Sequence, residues 1–366
     1  MKLPQGFLAS GIHCGIKKKH LDLGLICLEK LSYAIGFFTR NVNASYSVSV
    51  SKKHIRNPIK AILTNSGNAN CFSHKDGFKD TQNICKELAK KLGVKENNIL
   101  IASTGVIGKK LPYKKIISHI PMLINSLSDN VINFSKSIVT TDTFKKITQR
   151  RVEFKNKKIN ILGVAKGAGM IAPNLATMLA FIMTDANIDK KILKMLCKEI
   201  VDESFNAISI DGCTSTNDCI FILTSKKSPP LKGKKEINKF KSALREIFLD
   251  LAKMIVKDAE GATKFVTLSI QGAESVREAE RAAFSIANSL LFKSALYGAN
   301  SNWGRIIAAL GAVGVKVKEN NFSVKASLLD RREVNIIVNL KKGKYKKTIY
   351  MSDLSPRYIR INAGYN

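Results

Sequence analysis

KGAGMIAPNLATMLAFIMTDA, residues 166–186, joins two kinds of sequence that meet at Ala176-Thr177. The first half carries Gly167, Gly169, Pro173 and Asn174, residues that favour turns and irregular backbone. The second half, Met178 to Met183, is an unbroken apolar run. Such a run predicts a strand covered on both faces, as happens inside a sheet packed between other layers. A hydroxyl placed where a loop enters a rigid buried strand suits a nucleophile, because the strand fixes it while the loop leaves room for a substrate. Thr177 is also a β-branched residue of the sort that starts strands, and on pattern alone that is the simpler reading.

Outward from this stretch the same alternation continues. Ala61 to Leu63 is a short apolar run that breaks at Thr64-Asn65-Ser66-Gly67-Asn68, which predicts a strand running into a loop. Ile192, Met195, Leu196 and Ile200 keep helical spacing, as do Leu244, Phe248, Leu251 and Ile255, and again Val276, Ala279, Ala283, Ile286 and Leu290. Phe265 to Ile270 alternates like a half-buried strand. Mixed strands and helices over 366 residues predict an α/β or α+β chain of two to three domains. The Pro- and Lys-rich segment within 226–235 is the best candidate for a linker or exposed loop, separating 1–225 from 236–366.

The charge is unusual: 60 Lys and Arg against 28 Asp and Glu give a formal net charge of +32. Polyanion binders concentrate cations on a patch or arm, because several phosphates must be neutralised together. Here lysine doublets recur along the chain, the longest run is Lys17 to Lys19, and Trp303 is the only tryptophan. Nothing interleaves aromatics with arginine as a base-stacking platform requires. A solvated lysine-rich surface is therefore favoured over a nucleic-acid interface. The N-terminal residues lack the apolar core of a secretory signal, and no segment has the ~20 apolar residues that cross a bilayer. Seven cysteines without a CxxC pair, and five histidines without ligand spacing, predict reduced thiols and no metal site. The expectation is a cytoplasmic protein without nucleic-acid or membrane partners.

Residues 166–186 resemble the autoprocessing segment of the ornithine acetyltransferase family, the glutamate N-acetyltransferases of arginine biosynthesis. The resemblance extends through PQGFLASGIHCGIKKK (4–19), LTNSGNANC (63–71), STGVIG (103–108), TTDTF (140–144), SFNAISIDGCTSTND (204–218), DAEGATKF (258–265), NSNWGRIIAALGAVG (300–314) and YIRINAGY (358–365), in order over essentially the whole chain. It implies an αββα-type sandwich with a smaller C-terminal α/β domain. It also implies self-cleavage between Ala176 and Thr177 into chains 1–176 and 177–366, which stay associated as an α2β2 assembly.

By the same resemblance Thr177 is the nucleophile, Thr104 and Gly105 form the oxyanion hole, and Thr143, Lys166, Thr177, Glu260 and Asn362 contact substrate. Chemistry agrees with these roles. A free α-amino group titrates at about 7.7 to 8.0, so once Thr177 is a new N-terminus its own amine can take the hydroxyl proton. N-acetylornithine offers a carboxylate suited to Lys166 and a cationic side-chain amine suited to Glu260. The implied reaction is ping-pong acetyl transfer from N-acetylornithine to glutamate without metal or organic cofactor. Whether acetyl-CoA also serves as co-substrate stays open. Family members place a further substrate-contacting residue five positions beyond the match to Asn362; with Asn366 last here, that contact is expected to be missing or replaced by Asn366. Two other readings remain: an aminopeptidase or amidase on a related self-cleaving fold, and a basic nucleic-acid-binding protein.

Overall fold

The computed structural model describes residues 1–172 and 178–364. The chain divides into two compact units, Met1–Gly167 with Asn174–Val201 and Thr214–Leu251, and Ala168–Pro173 with Asp202–Cys213 and Ala252–Asn366. Residues 226–235 lie inside the first unit, and the chain passes into the second within a helix. The reason is local. Gly233–Lys257 forms one continuous helix whose Phe240, Leu244, Phe248 and Leu251 are fully buried, so the prolines and lysines before it make a surface crossing.

The first unit is built from two sheets. One has the order β1 (Phe7–Ile12), β2 (Leu23–Ser32), β4 (Ile59–Asn68), β5 (Ile99–Val106). The other runs β3 (Ala34–Phe38), β10 (Cys219–Thr224), β8 (Leu179–Thr184), β7 (Lys157–Lys166), β6 (Lys146–Phe154). Residues of both sheets meet in one core: Ile26, Ile62 and Leu100 from the first pack with Leu162, Phe181 and Phe221 from the second. On the far face of the first sheet, Leu25, Leu63 and Ile101 pack with Ile84 and Leu88 of α2 (Gly77–Leu92) and Ile116 and Ile120 of α3 (Tyr113–Asn125). The shorter helices α1 (Tyr46–His54) and α4 (Ile132–Ser137) contact β5 and β1 respectively.

β8 shows why the apolar run had to be continuous. It lies between antiparallel β7 and parallel β10, and all six of its residues are buried. Phe181 faces the inter-sheet core, with Phe134 edge-on at 5.0 Å between centroids and Phe221 stacked at 6.0 Å. Ile182 faces outward beside Gly163, where an added Cβ would come within 2.8 Å of Ile247 and Leu251 in the long helix. With apolar cover on each side, every position of the strand gains from burial, roughly 1.5–3 kcal/mol for each large side chain. The first unit is thus an α/β/β/α sandwich. After β8 come α5 (Lys190–Glu203) and then α6, the Gly233–Lys257 helix.

The expected break after Leu63 does not occur. β4 continues to Asn68 because β5 pairs with it in parallel as far as Asn68 opposite Val106, with a register irregularity after Gly67, which gives the polar backbone of 64–68 its hydrogen-bond partners.

The second unit is a smaller α/β body. Its sheet has the order β12 (Ser323–Ala326), β13 (Glu333–Asn339), β11 (Phe265–Ala273), β14 (Tyr345–Ser352), β9 (Ile208–Ser209). In β13 Val334, Ile336 and Val338 are buried while Glu333, Asn335 and Ile337 are exposed, the alternation of a sheet covered on one face. The cover is α7 (Val276–Asn288), α8 (Leu290–Tyr297) and α9 (Gly304–Ala312), through Ala283, Ile286, Leu296, Ile306 and Leu310. Helix α10 (Pro356–Ala363) follows, capped by Ser355, whose hydroxyl accepts from the Arg357 amide. No helix among the described residues is long and apolar enough to cross a membrane.

Candidate active site

At the end of the β4–β5 pair the backbone comes unusually close. Gly105 has φ +135°, and a Cβ on it would lie 2.3 Å from the carbonyl carbon of Gly67 and 2.4 Å from the Asn68 nitrogen. Conformation and space both demand glycine there. Next to it, Thr104 is almost fully buried, and its Oγ1 accepts a hydrogen bond from Lys166 Nζ at 3.2 Å. A hydroxyl that accepts from a lysine keeps its own proton to donate.

Lys166 ends β7 and is only 2% exposed. A buried ammonium is costly without an opposite charge nearby. Asp142 supplies that charge, and its side chain is itself fully enclosed. Its Oδ1 accepts from Lys146 Nζ at 2.7 Å and from the Gly167 amide at 2.8 Å, and its Oδ2 from the Thr140 amide at 3.0 Å. Burial pushes the carboxyl up, but Lys166 and Lys146 outweigh it and hold the group at about 2. Thr143, the residue after it, is exposed on the wall of a pocket of about 320 Å³ that Asp142, Val139 and Phe144 also line.

Ala176 and Thr177 lie outside the described residues. Their neighbour Met178 is held firmly. Its amide donates to Asp218 Oδ1 at 2.8 Å, and its carbonyl accepts from the Cys219 amide at 3.3 Å. Asp218 is completely buried, and among the described residues its Oδ2 has no hydrogen-bond partner. Burial raises its carboxyl well above the usual carboxylate range, against the opposing pull of the Met178 amide, the Lys166 charge and the Ser215 hydroxyl. Two acids in one unit are therefore driven apart. Lysines hold the Asp142 carboxyl down, and burial pushes that of Asp218 up beside Met178, the residue that precedes β8.

Glu260 and Asn362 belong to the second unit, where they meet directly: Asn362 Nδ2 donates to Glu260 Oε2 at 2.8 Å. Two glycines make the meeting fit. A Cβ on Gly261, at φ +68°, would lie 2.4 Å from the Tyr358 nitrogen, so only glycine lets α10 approach. A Cβ on Gly169 would lie 2.4 Å from Glu260 Oε2. The segment carrying Gly169 is tied down by Asp211, which accepts from the Met170 amide at 2.5 Å and the Ile171 amide at 2.9 Å, and by the Glu260 amide donating to the Ala168 carbonyl at 2.8 Å.

Of the residues singled out from the sequence, Thr104, Gly105 and Lys166 gather at one strand end with Thr143 beyond Asp142, and Glu260 gathers with Asn362. Asp142, Lys146, Asp211 and Asp218 are functional candidates that sequence reasoning passed over. A usable signal existed. In a chain with 28 acids among 60 bases, Asp142, Asp211 and Asp218 each fall inside a quoted block of the resemblance.

Comparison with known proteins gives a consistent picture. A family model described as the ArgJ family matches residues 8–329. The chain is similar to the arginine biosynthesis bifunctional protein ArgJ of Oceanobacillus iheyensis, at 37% identity over 99% of this chain and 95% of the relative. It is similar to the glutamate N-acetyltransferase of Methanocaldococcus jannaschii at 38% identity, over 99% of this chain and 97% of that one. Among solved structures, the ornithine acetyltransferase of Mycobacterium tuberculosis complexed with ornithine shares 29% identity at a TM-score of 0.41, over 47% of this chain and 94% of the other.

Proposed function

The chain belongs to the ArgJ family, and from that premise we propose that it transfers an acetyl group from N2-acetyl-L-ornithine to L-glutamate by way of an acetyl-Thr177 intermediate. It is first made competent by self-cleavage. The Thr177 hydroxyl attacks the carbonyl of Ala176, the peptide bond becomes an ester, the proton passes to the departing nitrogen, and water releases chains 1–176 and 177–366. In the mature enzyme the Thr177 amine takes the hydroxyl proton as Oγ attacks the acetyl carbonyl. Ornithine leaves with that proton on its amine. The glutamate amine then attacks the ester, the acetyl–oxygen bond breaks, and the hydroxyl regains its proton.

In this scheme Thr104 and Gly105 stabilise the oxyanion, Lys166 binds a substrate carboxylate, Glu260 with Asn362 receives the ornithine ammonium, and Thr143 contacts substrate. The chemistry needs no metal or organic cofactor. The cut chains function as an α2β2 assembly in the cytoplasm, and acetyl-CoA is an additional donor to be tested.

The observation that carries the reading is the arrangement at the β4–β5 end. A buried lysine whose charge acts on Asp142 donates to a threonine hydroxyl beside a backbone position that admits no side chain. Donors fixed in a desolvated place are what an oxyanion needs, and losing one typically costs about 3 kcal/mol in the transition state.

The test compares the purified full chain with Thr177→Ala on a denaturing gel and in a transfer assay. Two fragments ending at Ala176 and starting at Thr177, collapsing to one uncut inactive band in the variant, support the reading. An uncut wild type overturns it. Ornithine release that turns over without glutamate would make the enzyme a hydrolase instead.

A further inference from the structure

Lys17 heads the longest lysine run in the chain, yet it does not behave as solvated surface. The loop that carries it wraps round the Asp22 carboxylate, which is completely buried and accepts from the amides of Cys14 at 2.6 Å, Ile16 at 2.7 Å and Lys17 at 2.9 Å. The backbone of Lys17 is thereby pinned independently of its side chain. The aliphatic stem lies over Gly67, where a Cβ would come within 2.8 Å of Lys17 Cγ. Gly67 in turn is the residue that crowds Gly105. Lys17, Gly67 and Gly105 are therefore stacked at the candidate oxyanion position.

The ammonium end reaches the same corner from the other side. Lys17 Nζ donates to the Val139 carbonyl at 3.0 Å, and Val139 lines the pocket shared by Asp142 and Thr143. Burial opposes the charge of Lys17 most; Asp22 favours it, Lys166 opposes it and Asp142 favours it. Three lysines, Lys17, Lys146 and Lys166, thus share two carboxylates at this corner: Asp142, which accepts from Lys146 at 2.7 Å, and Asp22, whose charge also acts on Lys17. The Asp22 carboxylate also accepts three backbone amides and lies 3.3 Å from His13 Nδ1, so the three lysines outnumber the two carboxylates. An excess of fixed cations in a partly desolvated corner is stabilised by an anionic guest.

The donor and the acceptor of the proposed reaction differ in just this respect. N-acetylornithine carries one carboxylate and an ammonium, and glutamate carries two carboxylates. We propose that Lys17 is a specificity-determining residue for the acceptor, holding the second carboxylate of glutamate while Lys166 holds the first. The inference rests on the acetyl-transfer reading above and deepens it. Lys17 gives the dicarboxylic acceptor a partner that the donor does not use.

The experiment separates the two half-reactions in the full-length enzyme. Ornithine release from N-acetylornithine, measured in the first turnover without glutamate, reports the donor half; capture of the acetyl group by glutamate or by glutamine reports the acceptor half. For Lys17→Gln the glutamate KM is expected to rise about tenfold or more, the size of one lost hydrogen bond to a charged group, with the donor half changed less than about twofold. Preference for glutamate over glutamine should fall by the same factor. Lys17→Arg keeps the charge and should restore the preference.

Equal loss in both halves, or an unchanged preference for glutamate over glutamine, overturns the assignment. A Lys17→Gln protein that melts well below wild type also overturns it, because the side chain would then be holding the fold. Failure of the wild type to transfer acetyl overturns the parent reading, and is recognised before any variant is made.

Discussion

The two clusters of candidate residues solve the problem of placing charge in opposite ways. In the first unit Lys166, Lys146 and Asp142 are buried together, and the two lysines hold the Asp142 carboxyl down against burial. In the second unit Glu260 is half-buried and Asn362 exposed, and their contact depends on two glycines that let a loop and a helix come close. The first arrangement ties binding chemistry to folding, since removing one charge strands another in a medium that cannot solvate it. The second leaves binding chemistry nearly independent of stability.

Asp142→Asn tests the first half of that comparison most severely. It keeps the shape, removes the charge between two buried lysines, and is expected to cost about 3–5 kcal/mol in denaturant unfolding. The pH dependence should follow. The folded carboxyl is held at about 2 against an ordinary 3.8, so its contribution is fully present above pH 4 and is lost as pH falls from there towards 2. The variant should show a flatter acid limb than wild type over that window, and an identical acid limb would remove Asp142 from the account.

Gly105→Ala should come next, at about 3 kcal/mol, from a Cβ that must displace backbone of Gly67 and Asn68 and a φ that L-residues avoid. Here the loss should appear in both unfolding and transfer rate, because strand pairing and the proposed oxyanion position are the same backbone. Activity surviving an intact fold would separate them.

The smallest stability effect belongs to the second unit. Glu260→Gln should alter unfolding by no more than about 0.5 kcal/mol, because the half-buried amide keeps the shape and can still accept from Asn362, while raising the KM for N-acetylornithine about tenfold. Measured beside Asp142→Asn, it sharpens the contrast: one substitution is read mainly by denaturant, the other mainly by substrate titration.

How much of this was legible beforehand varies with the range of the interaction involved. β8 was legible because cover on two faces writes itself as consecutive apolar residues, and α5 and α6 because one-sided cover writes itself as a helical period. Periodicity misled at its edges. Val276 and Leu290 keep one helical period yet are both exposed: Val276 is the first residue of α7, and Leu290 lies beyond the end of α7 and opens α8. The strand character of 64–68 was hidden, because residues that favour turns are held extended by a partner strand more than thirty residues away in sequence.

Thr104, Gly105, Lys166, Glu260 and Asn362 could be named from the order of family blocks alone, but what surrounds them could not. Composition showed that acids are scarce without showing that lysines hold the Asp142 carboxyl down or that burial pushes that of Asp218 up. It showed Lys17 as one lysine among many, where the structure sets its stem over Gly67 and its ammonium on the Val139 carbonyl.

By itself the amino-acid sequence determined the α/β class, the family and the chemical types available for acyl transfer, because periodicity and motif order are properties of a line of residues. Only the tertiary structure decided which charges are buried together and which remain in water. Coulomb interaction depends on separation and on the surrounding dielectric, and neither exists until distant segments have packed.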